Sequence, residues 1–215
     1  MKISNIALGF AVALGACGSD DHDDLDHVVW SATTPPGSSA EIDEQGALVL
    51  SMGGPDFCPA APCGPVALVT ELPEGDFQLR FEGVTLENVG EIGAYLAVDE
   101  YYVNTRFNHW GDGNQGVTID VLGEAQYAST GIGFYGDEPV ESEFTLIREG
   151  DRLTGWAKYA TDEVTEFADV GSGPAELTVY LEPEEDVAPT DTLAATIARR
   201  AVSTEVTSFA GDVIE

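Results

Sequence analysis

Basic residues are scarce in this chain of 215 residues. Only eight Lys and Arg stand against 39 Asp and Glu, which gives a formal net charge of −31 at pH 7. Proteins bind nucleic acids by neutralising phosphates with basic groups, and anionic membrane surfaces attract basic segments in the same way. The composition therefore predicts no nucleic-acid partner and no attraction of the domain itself to anionic lipid. The acidic residues either form a solvated surface or include oxygen ligands for cations such as Ca²⁺, and composition leaves both open.

Long apolar runs are also missing. A mostly apolar run from Ile6 to Leu14 follows Lys2 and leads into "GAC", whereas a membrane-spanning helix needs about 20 apolar residues. The run is therefore typical of an export signal. Its end, Leu14 followed by two small residues and Cys17, resembles a bacterial lipobox. That resemblance implies removal of residues 1–16 and acylation of Cys17.

The lipobox resemblance also implies a location. It predicts an exported bacterial lipoprotein that is attached to a membrane through its N-terminal lipid. Gly18 and Ser19 follow the cysteine, where that family often carries an Asp that signals retention in the inner membrane. We therefore favour the outer membrane or the cell surface.

Residues 17–27 form an acidic segment, "CGSDDHDDLDH". One interpretation is a metal site that uses His22, His27 and neighbouring Asp side chains. A block of like charge without apolar periodicity is, however, typical of a flexible tether behind a lipid anchor. We predict the tether.

Only two cysteines remain after Cys17. Cys58 and Cys63 lie in "DFCPAAPCGP", and an exported protein meets an oxidising compartment. We predict that they form a disulfide that closes a Pro-rich loop. With four residues between them, they fit neither a thioredoxin-type CxxC nor a zinc site made of CxxC pairs.

Familiar catalytic motifs are missing as well. The chain has no G-x-S-x-G, no H-E-x-x-H and no glycine-rich phosphate loop. The stretch "SAEIDEQGALVL" places Glu41 and Asp43 on one strand face, but Gln45 and Gly46 stand where a retaining glycosidase of this strand type would need its acid. We therefore expect no catalytic residues and a protein that is not an enzyme.

Alternating short runs dominate the chain from residue 28 onward. In "DFQLRFEG", for example, Phe77, Leu79 and Phe81 alternate with polar residues, as half-buried strands do. There are about nine such runs, bounded by Gly, Pro and Asp, and no convincing amphipathic helix. The pattern predicts an all-β fold, an antiparallel β-sandwich over residues 28–202 with a closing strand over 193–202 and a C-terminal tail over 203–215.

Four pieces of this pattern resemble a known superfamily. They are "GALVL", "GDFQLRFEG", "GAYLAVDEYY" and "FTLIREGDRLTGWA", and they resemble strands of concanavalin A-like jelly rolls of the laminin G, pentraxin and glucanase types. The resemblance implies a jelly roll across residues 28–202. Its members include sugar-binding modules, glycosidases and adhesion domains, so it does not select a function.

The stretch "DEYYVNTRFNHWGDGNQG", residues 99–116, gathers aromatic, amide and charged side chains. Aromatic faces stack on sugars while amides and carboxylates bond to hydroxyl groups, so the stretch predicts a carbohydrate site. The alternative is a Gly- and Asn-rich hairpin whose Trp folds onto the sandwich. The candidate ligand-binding residues, with one tryptophan from a later strand added, are Tyr102, Asn104, Arg106, His109, Trp110, Asp112, Asn114 and Trp156.

A second candidate surface is one polar sheet face. It would combine Arg80, Arg106, Trp156, Lys158 and Tyr180. The alternative is that these side chains are scattered, because alternation does not determine the register between strands.

Cofactors are not indicated. Asp112 and Asn114 have the first two spacings of a Ca²⁺ loop, but glycines at 116 and 123 occupy later ligand positions, so the stretch fails as an EF-hand. Calcium stays a weak candidate ligand. The sequence as a whole predicts a lipid-anchored, non-enzymatic module that binds carbohydrate or another extracellular ligand. The alternatives are a structural or adhesion lipoprotein without a small ligand, and a glycoside hydrolase.

Overall fold

The structure is a computed structural model that describes residues 30–44, 47–53, 65–72, 74–110, 113–136, 140–183 and 192–203. These residues form 14 strands and no helix. The strands are β1 (Ser31–Thr33), β2 (Ser38–Ile42), β3 (Leu48–Met52), β4 (Val66–Leu72), β5 (Phe77–Glu87), β6 (Gly90–Val98), β7 (Tyr101–His109), β8 (Asn114–Leu122), β9 (Tyr127–Tyr135), β10 (Ser142–Glu149), β11 (Arg152–Tyr159), β12 (Asp162–Asp169), β13 (Ala175–Pro183) and β14 (Leu193–Ser203).

The strands make two seven-stranded antiparallel sheets. Sheet A has the order β1-β4-β13-β6-β7-β8-β9, and sheet B has the order β12-β11-β10-β5-β14-β3-β2. The predicted antiparallel β-sandwich is therefore confirmed. The predicted closing strand is β14, which lies inside sheet B between β5 and β3.

Alternation along the strands builds the core between the sheets. On β5, Phe77, Leu79 and Phe81 are buried, and the pairing with β10 then shifts by one residue. Beyond that bulge the buried positions become Val84 and Leu86. The irregularity lets one long strand keep its apolar side inward along its whole length.

The sequence predicted too few strands. β4, "VALVTEL", is buried along most of its length, so it reads as a continuous apolar run rather than an alternating one. β12, "DEVTEFAD", is an edge strand with little apolar content. Neither strand carries a clear alternating signal. The short strands β1 and β2 were not predicted either.

Several predictions fall outside the described residues. They concern the signal over residues 1–16, the acylated Cys17 and tether over 17–27, the cysteines Cys58 and Cys63, Asp112, and the C-terminal tail over 203–215 apart from Ser203. Among the residues that the structure covers, there is no helix of the length and hydropathy needed to cross a membrane.

Gly155 on β11 lies where the two sheets approach each other. A Cβ at this position would lie 2.6 Å from Cγ1 of Val103 and 3.0 Å from Cγ2 of Ile119, both on sheet A. Because residue 155 has no side chain, β7 and β8 of sheet A can pack closely against β11 of sheet B.

We expect Gly155→Ala to lower the free energy of unfolding by about 1–3 kcal/mol, because the added methyl overpacks the core. Adding Val103→Ala should recover part of this loss, although Val103→Ala alone also destabilises the protein. Urea denaturation of the two single variants and the double variant measures the coupling. Strictly additive losses would contradict the proposed contact.

Candidate functional site

The outer face of sheet A, the side turned away from sheet B, carries an unusual set of polar side chains. On β7, Val103 and Phe107 are buried in the core, so the alternate residues Tyr102, Asn104 and Arg106 lie on the outer face. The register places Asn104 beside Tyr95 of β6 and beside Asp120 of β8. Three neighbouring strands therefore contribute to one surface.

Arg106 joins two carboxylates at the centre of this surface. Its Nη1 donates to Oε2 of Glu91 at 3.2 Å, and its Nη2 donates to Oδ2 of Asp120 at 2.6 Å. Burial alone would lower the pKa of Arg106, but the negative charges of Glu91 and Asp120 outweigh it and raise that pKa. The guanidinium is therefore charged and held in place by two strands.

Tyr180 of β13 completes the arrangement. Its ring lies over Gly93 of β6, where a Cβ would lie 2.5 Å from the ring. Its hydroxyl donates to Oε1 of Glu91 at 2.5 Å and accepts from Nδ2 of Asn104 at 3.0 Å. Burial, and then the charge and hydrogen bond of Glu91, raise the pKa of Tyr180 far above its usual value. The hydroxyl therefore stays protonated. We call Glu91, Asn104, Arg106, Asp120 and Tyr180 the polar cluster.

Three tyrosines adjoin the polar cluster along the sheet. The rings of Tyr95 and Tyr102 are 4.9 Å apart between centroids and tilted by 33°. Tyr127 of β9 is 61% exposed, and its hydroxyl donates to Oδ1 of Asp120 at 3.4 Å. Burial first, and then the neighbouring Tyr127 and Asp120, raise the pKa of Tyr102. We call Tyr95, Tyr102 and Tyr127 the tyrosine strip.

Part of the predicted site is brought together. Tyr102, Asn104 and Arg106 lie in the tyrosine strip or the polar cluster. Three other predicted residues lie at the far end of the β7–β8 hairpin, where Nδ1 of His109 bonds to the carbonyl of Asn88 and the amide of Trp110 donates to the carbonyl of Asn114. These contacts belong to the hairpin end and leave His109, Trp110 and Asn114 outside the cluster.

The structure places Trp156 away from the other candidate residues. Its neighbours on β11, Gly155 and Ala157, face the core, so Trp156 lies on the outer face of sheet B. It is only 8% exposed, and its Nε1 donates to Oε2 of Glu163 at 3.3 Å. The tryptophan is on the opposite side of the sandwich from the polar cluster.

The predicted single polar face divides in the same way. Arg80, Trp156 and Lys158 lie on the outer face of sheet B, where Thr145 pairs with both Arg80 and Trp156. Arg106 and Tyr180 lie on sheet A. The five residues therefore do not form one surface, because they come from strands of different sheets.

Sequence reasoning missed four residues of the site: Glu91, Tyr95, Asp120 and Tyr127. Glu91 and Asp120 are the only charged residues of their strands, "GEIGAYLAV" and "NQGVTIDVL", and this was the signal available in the sequence. A carboxylate that is partly buried on a sheet is stabilised by a cationic neighbour, so each of these residues indicates a basic partner on an adjacent strand.

Metal binding finds no support in the part of the chain that the structure describes. No group of three or more His, Cys, Asp or Glu side chains lies there in an arrangement that could hold a metal ion. Asp112, the first residue of the predicted calcium pair, is outside the described residues.

Comparison with known proteins identifies the fold. The sequence matches no family model and no curated protein. The alginate lyase A1-II', a member of polysaccharide lyase family 7, superposes with a TM-score of 0.51 at 14% identity, over 81% of this chain and 93% of that one. The β-glucanase of Bacillus licheniformis gives 0.52 at 9% identity, over 86% and 95%. A prokaryotic β-1,3-1,4-glucanase (lichenase) from a mouse hindgut metagenome gives 0.50 at 13%, over 86% and 96%.

These structures are concanavalin A-like jelly rolls, so the resemblance seen in the sequence is confirmed for the fold. The expectation that the protein is not an enzyme is contradicted, because several solved structures that share its fold, among them this lyase and these two glucanases, are enzymes. That expectation was based on catalytic motifs of other folds and on the carboxylates near β2, a strand of sheet B. The carboxylates that lie close together in the structure, Glu91 and Asp120, are instead on sheet A.

We expect Tyr180→Phe to lower the free energy of unfolding near pH 7 by about 1–2 kcal/mol, because Glu91 and Asn104 lose their partner. The pKa of Tyr180 is higher in the folded protein than in the unfolded chain, where it is about 10. The protonated hydroxyl therefore adds to the free energy of unfolding below pH 10, and this contribution is lost as the pH rises above 10. In Tyr180→Phe the free energy of unfolding should therefore decrease less between pH 9.5 and 11 than it does in the wild type.

Urea denaturation across this pH range measures both effects. Tyr135→Phe, at an exposed ring on β9, is the matched control and should change neither. A Tyr180→Phe variant as stable as the wild type at pH 7 would contradict the hydrogen-bonding role.

Proposed function

We propose that the outer face of sheet A binds a neutral polysaccharide. The observation that carries this proposal is the tyrosine strip next to the polar cluster. The rings of Tyr95, Tyr102 and Tyr127 offer faces on which sugar rings stack. The amide of Asn104 and the carboxylates of the cluster can bond to sugar hydroxyls in the same plane.

Charge favours a neutral sugar chain over an acidic one. The polar cluster holds two carboxylates and one guanidinium, and both Nη groups of Arg106 already donate to Glu91 and Asp120. A uronate carboxylate would meet this net negative charge in a protein whose formal charge is −31. Neutral hydroxyl groups meet no such repulsion.

The fold is consistent with this assignment. Two of the solved structures that share it are named as β-glucanases, and glucans are neutral. The third is named as an alginate lyase, whose substrate is a polyanion. Because the polar cluster has more carboxylates than basic groups, it favours a neutral polysaccharide such as a glucan over a polyanion.

Binding can be measured by affinity electrophoresis in gels that contain a soluble polysaccharide. We expect retardation by neutral chains such as mixed-linkage β-glucan, xyloglucan or galactomannan, and none by alginate. Tyr127→Ala should weaken binding about tenfold, the loss expected for one sugar–aromatic stack. Phe167→Ala, at an exposed ring on sheet B, is the matched control and should bind as the wild type does.

Equal retardation by alginate would contradict the preference for neutral chains. Wild-type affinity in Tyr127→Ala would show that the tyrosine strip is not the binding surface.

Hydrolysis of the bound chain is the second candidate function, and the position of Glu91 relative to Asp120 favours it. Each contacts Arg106 within 3.2 Å, so the two carboxylates are separated by little more than the width of one guanidinium group. Glycoside hydrolases likewise hold two carboxylates close together on either side of the bond that they cleave. Glu91 and Asp120 are then the pair of carboxylates that would act on the bound chain.

The same polysaccharides test hydrolysis by the release of reducing ends. Glu91→Gln and Asp120→Asn should each abolish release while the polysaccharide still retards the protein in the gel. Binding without release by the wild type would refute hydrolysis and leave the binding proposal standing.

We also propose that the protein is exported and anchored through a lipid on Cys17. The lipobox-like residues before Cys17 and the acidic segment after it support this proposal. In a bacterium that processes lipoproteins, the wild type should enter the detergent phase of a Triton X-114 extract, and Cys17→Ala should stay in the aqueous phase. Identical partitioning of the two proteins would contradict the anchor.

A further inference from the structure

The edge strands of the sandwich are protected unequally. Among the described residues the edges are β1 and β9 in sheet A and β12 and β2 in sheet B. An exposed edge strand can pair with another chain, and natural proteins prevent this by making edge strands short or charged. β1 has three residues and β2 has five, while the eight residues of β12 include four Asp or Glu. β9, "YASTGIGFY", has nine residues and no charge.

The hydrogen bonds at both ends of β9 show which backbone groups point to the open side. The amide of Gly123 donates to the carbonyl of Gln126, and the amide of Gly136 donates to the carbonyl of Gly113. In an antiparallel pair, hydrogen-bonded positions alternate from these ends, so Ala128, Thr130 and Ile132 bond to β8. The open-side N–H and C=O groups then belong to Tyr127, Ser129, Gly131, Gly133 and Tyr135.

The neighbouring edge of sheet B supplies negative charge beside this open side. β12 packs against β9. Ala168 of β12 is buried in the core and Val164 packs against it. Asp162, which is exposed, and Glu166, which is partly buried, alternate in step with them and so lie on the same side of β12, at the rim of the sandwich. The side chains of a strand added to β9 would extend toward these carboxylates on one face and toward Tyr127 and Tyr135 on the other.

We propose that the open edge of β9 binds an extended basic segment of another protein by strand addition. Backbone pairing with β9 supplies the affinity, and lysine or arginine side chains at alternate positions face Asp162 and Glu166. A second copy of this chain is disfavoured as the occupant, because two chains of formal charge −31 repel each other. This interaction uses the backbone edge of β9, so the proposal does not rest on polysaccharide binding, although side chains of the added strand on the outer face would lie next to Tyr127.

A fluorescein-labelled nine-residue peptide that alternates lysine with threonine is the probe. We expect its fluorescence anisotropy to rise with added protein and the affinity to fall as NaCl is raised. Ser129→Pro removes one open-side N–H and leaves the pairing with β8 intact, so it should weaken binding at least tenfold. Ser129→Ala, the matched control, keeps that N–H and should bind within twofold of the wild type.

The charge contribution has its own variants. Asp162→Asn combined with Glu166→Gln should weaken binding and reduce its dependence on salt. Gly133→Pro provides a second test of the edge if Ser129→Pro unfolds, because a Cβ at 133 would lie 3.5 Å from its nearest neighbour. Melting temperatures establish that each variant is folded.

Three results would overturn the proposal. They are wild-type affinity in both folded proline variants, equal binding of a peptide with glutamate in place of lysine, and self-association at the β9 edge. Sedimentation velocity of the wild type and Ser129→Pro detects self-association at the β9 edge. Such self-association would mean that a second copy of this chain, rather than a basic segment of another protein, binds there.

Discussion

The register of β7 between β6 and β8 is the constraint on which the candidate site depends. It places Arg106 opposite Gly93, over which the ring of Tyr180 lies, and opposite Thr118 on the other side. From this position the guanidinium reaches the carboxylates of Glu91 and Asp120. A slip of one residue would turn Arg106 into the core and bring Phe107 to the surface. The buried side chains of β7 prevent that slip, so packing in the core holds the polar surface in place.

Charge has opposite effects at two scales in this molecule. Over the whole chain, 39 acidic residues against eight basic ones produce self-repulsion that only packing overcomes. Within the polar cluster, one of the few arginines holds two carboxylates together and positions Tyr180 through Glu91. The balance stays negative, which suits hydroxyl-rich ligands on the sheet face and basic ligands at the strand edge.

Much of the fold was predictable because alternation has a local cause. Side chains of a strand point to opposite faces, so Phe77, Leu79 and Phe81 identify β5 from eight letters. β4 was missed because it is buried along most of its length, and β12 because an exposed edge needs few apolar residues. Within the site, Tyr102, Asn104 and Arg106 were found because they share one strand. Glu91, Asp120 and Tyr127 were missed because each comes from another strand.

The sequence by itself determined the all-β fold class, the acidic charge and which residues share a face of a given strand. These features follow from the composition and from the alternation of side chains with a period of two. Only the tertiary structure decided which faces lie together. It separated Trp156 and Lys158 from Arg106 and Tyr180, because β11 pairs in sheet B while β7 and β13 pair in sheet A. It also left β9 at an edge beside β12. Pairing between strands far apart in the chain depends on the packing of the whole core, which no single strand encodes.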